Sequence, residues 1–319
     1  MRALVTGGNG FVGQLLVKKL LNEGFSVRLL LRSASKFSFD NVEIVMVNLT
    51  SETDLSDIAI SCDVIFNCVG EVHHQDKMFG LHVEGTRKLI DAVNESYKLD
   101  GKPKHWVQLS SIATYGSSLT PGVKRVVNEL TEPKPIGVYE TTKILADEMI
   151  VEAANNTRMT YTILRPSNIV GASMPNHSFR ELLRAISNRQ FFFIGTKKTI
   201  SNYIHVDDVV DALTVCARNK KAKNQIFNLS NDCNLFEIVN SVSLFFGFKC
   251  NFLCLPERPL RLAVKIFSKI IRLPLTQSRI DTLVSRTTYP YSKIKDILVF
   301  TPKKPIPEFA VSYLKSFND

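Results

Sequence analysis

Arg2-Ala3-Leu4-Val5-Thr6-Gly7-Gly8-Asn9-Gly10-Phe11-Val12-Gly13 opens the chain, and its reading decides the fold. Ala3, Leu4 and Val5 make a short apolar run of the kind that becomes a buried strand, and Phe11 to Leu21 continue as a helical run. Between them Thr6, Gly7, Gly10 and Gly13 spell a T-G-x-x-G-x-x-G turn. The first glycine permits the tight turn, the second lets backbone N–H groups approach a pyrophosphate, and the third lets helix and strand pack closely. With the helix N-terminus facing an anion, the stretch reads as a phosphate cradle built from Gly7, Gly10, Phe11, Val12 and Gly13. A plain strand-turn-helix without a ligand fits the same pattern, so the rest of the chain has to discriminate.

Strand-like runs recur at Val27 to Leu31, Val42 to Val47, Val64 to Cys68, His105 to Leu109 and Tyr161 to Leu164, with helical stretches between them. That alternation predicts an α/β fold, a doubly wound parallel (Rossmann) sheet with right-handed crossovers, and a smaller C-terminal substrate lobe. The expected division is residues 1–165 with 196–230 for the dinucleotide-binding domain and 166–195 with 231–319 for the lobe. An acidic side chain at the end of the second strand usually binds the adenosine ribose and repels a 2′-phosphate. This chain has Leu31-Arg32-Ser33 there, so a guanidinium able to pair with phosphate favours NADP(H), with NAD(H) as the alternative. A solvated strand-end arginine is the other reading of Arg32. Asn48 and Leu49 are expected beside the adenine, and Cys68, Val69 and Gly70 beside the nicotinamide. His73 and His74 read as loop residues.

At 319 residues, with 45% hydrophobic and 22% charged residues, the chain is a globular type able to bury a large core. Six cysteines form no C-x-x-C pair, which points to reduced thiols and to neither zinc nor a redox couple. No signal peptide is read, and a cytoplasmic location is expected. The net charge of +10 comes without a dense basic block interleaved with aromatics, so it points to phosphate-bearing small molecules and away from nucleic acid.

The fifth strand runs into Ser110-Ser111-Ile112-Ala113-Thr114-Tyr115-Gly116, and Tyr139-Glu140-Thr141-Thr142-Lys143 opens a helix. One helical turn separates Tyr139 from Lys143, so phenol and ammonium share a face, and a nearby cation favours the phenolate. With L-R-P-S-N-I-V-G from Leu164 to Gly171 and Y-I-H-V-D-D-V-V-D-A-L from Tyr203 to Leu213, the chain resembles an extended short-chain dehydrogenase/reductase of the NAD-dependent epimerase/dehydratase group. The resemblance covers Met1 to about Asn231 well and the remainder loosely. It implies Ser111 as the catalytic serine, Tyr139 as acid/base, and Lys143 as the residue that binds the nicotinamide ribose and tunes Tyr139. It matches Asn168 to a position that contacts a nucleotide-sugar substrate, for which a loop-turn role is the alternative. His205-Val206-Asp207-Asp208 is similar to a structural segment linking the lobes. A homodimer through helices from about Gln75 to Lys98 and Glu140 to Ala154 is also implied.

Departures narrow the chemistry. Ile112-Ala113 stands where sugar dehydratases of the group carry Asp-Glu, which argues against dehydration. Ser201-Asn202 stands where the epimerases usually hold a diphosphate with arginine. The expected function is NADP(H)-dependent reduction of a keto group on a nucleotide-activated sugar. A 4-epimerase, a hydroxysteroid-type dehydrogenase and a non-catalytic NADP-binding sensor are the alternatives. Over Pro259 to Leu275, Leu260, Ala263, Val264, Phe267, Ile270 and Ile271 fall on one helical face, with Arg261, Lys265, Lys269 and Arg272 on the other. Packing on the lobe is the preferred reading of 259–275, ahead of an anionic membrane surface.

Overall fold

The computed structural model describes residues 1–34, 40–51, 53–118, 120, 122–175, 177–267 and 275–316. Seven parallel strands form the central sheet: β1 (Arg2–Thr6), β2 (Ser26–Leu31), β3 (Val42–Met46), β4 (Val64–Asn67), β5 (His105–Leu109), β6 (Thr160–Pro166) and β7 (Gln225–Leu229). Their order across the sheet is β7-β6-β5-β4-β1-β2-β3. The direction of progression reverses between β1 and β4, which opens a crevice at the carboxyl ends of those two strands.

Successive residues of a strand face opposite sides, and the sheet accordingly divides its apolar residues between two cores. Val5, Leu29, Phe66, Val107 and Leu164 pack on one side against α1 (Phe11–Asn22) and the helix Val206–Arg218. Leu4, Leu30, Ile65 and Trp106 pack on the other, with Leu89 and Val93 from a helix that follows β4 and Ile150 from the helix that follows β5. A buried polar chain ties the strand ends together where the crevice opens. Thr6 Oγ1 donates to Asn67 Oδ1 at 2.6 Å, and Asn67 Nδ2 donates to Gln108 Oε1 at 3.0 Å.

The second lobe has its own core of Phe179, Leu183, Phe193, Ile238, Val239 and Tyr313. The chain does not stay in it. Ile294, Leu298 and Phe300 pack in the first core, under the sheet, so the expected assignment of all of 231–319 to the substrate lobe is too simple. The segment returns because the sheet side lined by α1 and Val206–Arg218 still has apolar surface to cover, and Asp208 fixes the return by accepting the Lys303 and Lys304 N–H groups at 2.8 and 3.1 Å. The amphipathic stretch forms a helix over Glu257–Phe267 with Val264 buried against Ile194, Ile280 and Val284. Lys269, Ile270, Ile271 and Arg272 lie outside the described residues. Among the described residues no helix is long and apolar enough to cross a membrane.

Candidate active site

The glycine turn works by exclusion of side chains. A Cβ on Gly7, whose φ is +73°, would meet the Cys68 carbonyl oxygen at 2.6 Å, and one on Gly13 would meet the Gly7 oxygen at 2.1 Å. Backbone of β1, α1 and the β4 loop therefore closes to a distance that no larger residue allows. Gly10 caps α1, whose first N–H groups, those of Phe11 and Val12 among them, have no intrahelical acceptor and face the turn.

In front of the turn lies a cavity of about 220 Å³ whose walls include Gly7, Gly10, Arg32, Asn48, Leu49, Cys68, Val69 and Gly70. Eight of the expected cofactor contacts are thus brought together. Phe11, Val12 and Gly13 are not on its wall: Val12 is buried in the first core, and Phe11 packs between the first core and that of the second lobe. Arg32 is exposed at the β2 end of the cavity, and the only carboxylate on the wall among the described residues, Glu71, belongs to the β4 loop. Asn48 turns its own Oδ1 to the Thr50 N–H and hydroxyl at 3.2 and 2.9 Å, which fixes the loop after β3. Asn9 donates from Nδ2 to the Ser33 and Ala34 carbonyls, both at 3.4 Å, while its Oδ1 is buried without a partner among the described residues. An orphaned acceptor on the wall for a ribose hydroxyl, with a cradle that a Cβ would fill and the donors of a free helix end for a diphosphate, makes a set that fits a ribose-diphosphate chain. The Cys68 thiol is pushed up to about 12 by burial, so it stays protonated beside that site.

The helix after β5, α2 (Val138–Asn156), carries Tyr139, Lys143 and Asp147 at four-residue intervals along one stripe. Asp147, 1% exposed, anchors the stripe: it accepts from Ser110 Oγ at 2.8 Å and forms a buried ion pair with Arg165 of β6 at 3.0 Å. Lys143 is buried and points its Nζ at the Leu109 and Val69 carbonyls, 3.3 and 3.5 Å away. Burial pushes its ammonium below the usual range, and the Asp147 charge opposes that. Ser111, two residues after β5, caps the turn Ile112–Tyr115 in an extended conformation, its Oγ accepting the Ala113 N–H at 3.1 Å.

Ser111 lies close enough to Tyr139 to act on its phenol. Burial pushes the Tyr139 phenol above its ordinary value, and the Ser111 hydroxyl only partly counters it. The Lys143 ammonium is turned to the two carbonyls.

Val69 and Gly70, beside Lys143, wall the first cavity, and Ile112, next to Ser111, walls a second one of about 270 Å³. Asn168 lies on the second cavity, exposed, with its Nδ2 donating to the Asn202 carbonyl at 3.2 Å. Ser117, Thr199, Ser201, Ser285 and Thr287 give this wall a hydroxyl-rich surface, and among the described residues no lysine or arginine lies on it. Asn202 itself is spent on Asp232 Oδ1 and the Thr287 carbonyl, at 2.7 and 3.0 Å.

Sequence reasoning missed His82. His73 and His74 are exposed and offer their backbone N–H groups to Glu71 Oε1, whereas His82 is buried against Tyr139, ring centroids 5.8 Å apart and nearly perpendicular. Gly80 and Gly85, which bracket its turn, were the one available signal.

A family model described as the NAD dependent epimerase/dehydratase family matches residues 3–230. The dTDP-6-deoxy-L-talose 4-dehydrogenase (NAD(P)(+)) of Kitasatospora kifunensis is 27% identical over 237 residues, 69% of this chain and 71% of that protein. A UDP-glucose 4-epimerase of Lactobacillus helveticus is 27% identical over 291 residues, 81% of this chain and 86% of the other. The solved structure of MoeE5 in complex with UDP-glucose and NAD superposes with a TM-score of 0.74 at 20% identity, covering 100% of both chains, and so shares the fold.

Proposed function

We propose that this chain, which belongs to the NAD-dependent epimerase/dehydratase family, uses NADP(H) to reduce a keto group on a nucleotide-activated sugar. The observation that carries the proposal is the glycine-turn cavity, with the buried Lys143 beside its Val69 wall and Ser111 beside Ile112 of the hydroxyl-lined second cavity. Bound in the first cavity, the dinucleotide supplies the hydride. Gly7, Gly10 and the α1 N-terminus hold its diphosphate, Asn48 and Leu49 flank the adenine, and Arg32 pairs with a 2′-phosphate. Cys68, Val69 and Gly70 line the nicotinamide end, and Lys143 holds the ribose from its position beside Val69.

Tyr139 donates the phenolic proton to the carbonyl oxygen, and Ser111 hydrogen-bonds that same oxygen, so the developing alkoxide is neutralised as it forms. The raised phenol suits this direction, since a donor must keep its proton at neutral pH. Lys143 acts here as a holding group. Asn168 and the hydroxyl wall take the sugar, whose hydroxyls they match better than an apolar steroid would.

A 4-epimerase is the second reading, favoured by the length shared with the Lactobacillus relative. Packing of two copies through the helices Gly85–Asp100 and α2 is the oligomer proposed. A thermal-shift screen tests the function: NADP should raise the melting point more than NAD, and a dTDP- or UDP-sugar should add to the NADP shift. A larger shift with NAD, and sugar interconversion without consumption of NADPH, would replace the reductase by the epimerase.

A further inference from the structure

His82 belongs to neither the glycine turn nor the Tyr-x-x-x-Lys stripe, and the mechanism above does not use it. It sits in the π-helical turn Gly80–Glu84, only 2% exposed, and its ring reaches both halves of the reacting centre. Nε2 accepts the Glu71 backbone N–H at 2.8 Å, and Nδ1 lies 2.8 Å from Thr142 Oγ1. The Thr142 hydroxyl in turn donates to the Tyr139 carbonyl at 3.1 Å. A backbone N–H can only donate, so Nε2 is the bare nitrogen and Nδ1 carries the hydrogen that goes to Thr142. The order of donors is therefore fixed along the whole path from Glu71 to Tyr139. Burial, with Lys143 nearby, holds the imidazole pKa down at about 3, so the ring stays neutral and Nε2 remains an acceptor at neutral pH. Glu71 is on the wall of the first cavity, and a Cβ on its neighbour Gly70 would come within 3.8 Å of His82 Nε2 and 3.5 Å of Lys143 Nζ.

We propose that His82 is a positioning residue that fixes the distance between the cofactor-side wall at Val69–Glu71 and the Tyr139 helix, holding dinucleotide and phenol in register. The inference rests on the dinucleotide reading of the first cavity. A π turn shifts the register of a helix locally, and here that shift puts one side chain within reach of two separate elements. Such a strut matters because displacement of a reacting group by about 1 Å can cost a hundredfold in rate.

Two amide variants separate the ends of the strut, since Asn sets its amide near the position of Nδ1 and Gln near that of Nε2. NADPH is the probe, read by titration and by the emission of the bound dihydronicotinamide, with melting temperature recorded for each variant. His82→Leu should weaken NADPH about tenfold by leaving the Glu71 N–H without this acceptor. His82→Gln, able to accept from Glu71, should return to within about threefold of wild type. His82→Asn, which reaches only Thr142, should bind NADPH as poorly as His82→Leu. Rescue by Gln and not by Asn supports the strut. NADPH binding by His82→Leu within twofold of wild type overturns it, as does equal loss in all three variants in step with their melting temperatures. A wild-type chain that binds neither NADPH nor NADH overturns the cofactor reading itself, and this inference with it.

Discussion

The first cavity is walled by the glycine turn and the ends of three neighbouring strands, the second by side chains drawn from positions 112 to 289. Backbone does the work in the first. Its shape follows from Gly7 and Gly13 letting main chain approach where a Cβ cannot go, and a change of one side chain elsewhere leaves that shape intact. In the second, Asn168, Asn202 and Thr287 each reach the wall from a different segment, and Asn202 is already engaged by Asp232 and Thr287. Cofactor binding is therefore fixed by a local pattern that many chains can share, while substrate choice depends on contacts between distant segments that vary freely.

The largest effect should come from the proposed proton donor. Tyr139→Phe is expected to lower kcat by roughly 10²- to 10⁴-fold while NADPH affinity stays within about threefold, because only the proton donor is lost. The same group sets the pH dependence. The phenol is raised above its ordinary value, so reduction needs the protonated form, runs at full rate through neutral pH and declines only as pH climbs past that raised value. Reduction that accelerates as pH rises through 7 would contradict the assignment.

Gly13→Ala attacks the first cavity through its backbone. With the Gly7 oxygen 2.1 Å from the new Cβ, the turn has to open, and a loss of about 2 kcal/mol in stability and of at least tenfold in NADPH affinity is expected by denaturant melts and titration. Arg32→Ala should act on one cofactor only. Removing a charge-assisted phosphate contact should weaken NADPH roughly 10- to 100-fold and leave NADH within about twofold. Equal losses for both would return Arg32 to the role of a solvated strand end.

Asn168→Ala should have the smallest effect and fall on the other side of the comparison. KM for a nucleotide sugar should rise about three- to tenfold with NADPH affinity unchanged, the size of one lost hydrogen bond. A drop in NADPH affinity without a KM change would erase the distinction between the two cavities.

Legibility in the sequence divides along the same line. Six strands and the glycine turn were readable because their apolar runs alternate with helical stretches and their glycines sit at fixed spacing. The seventh strand, Gln225–Leu229, was not, since Gln225 and Asn228 interrupt the run. Asn228 is nonetheless fully buried, because Tyr115 Oη donates to its Oδ1 and its own N–H donates to Glu129, partners more than 90 residues away. His82 was hidden for the same reason: its three partners, Glu71, Thr142 and Tyr139, are local to it only in space. The Tyr139–Lys143 spacing was legible as a shared helical face, whereas the Leu109 and Val69 carbonyls that receive the Lys143 ammonium were not.

The central claim is that hydride and proton meet at one sugar carbonyl between the two cavities. Single turnover with NADPH carrying deuterium at nicotinamide C4, on the 4-keto form of a dTDP-6-deoxyhexose, tests it by mass and NMR of the product. The account predicts deuterium on the former carbonyl carbon with one NADP⁺ formed per sugar reduced. Sugar epimers without deuterium and NADPH left unconsumed would contradict it.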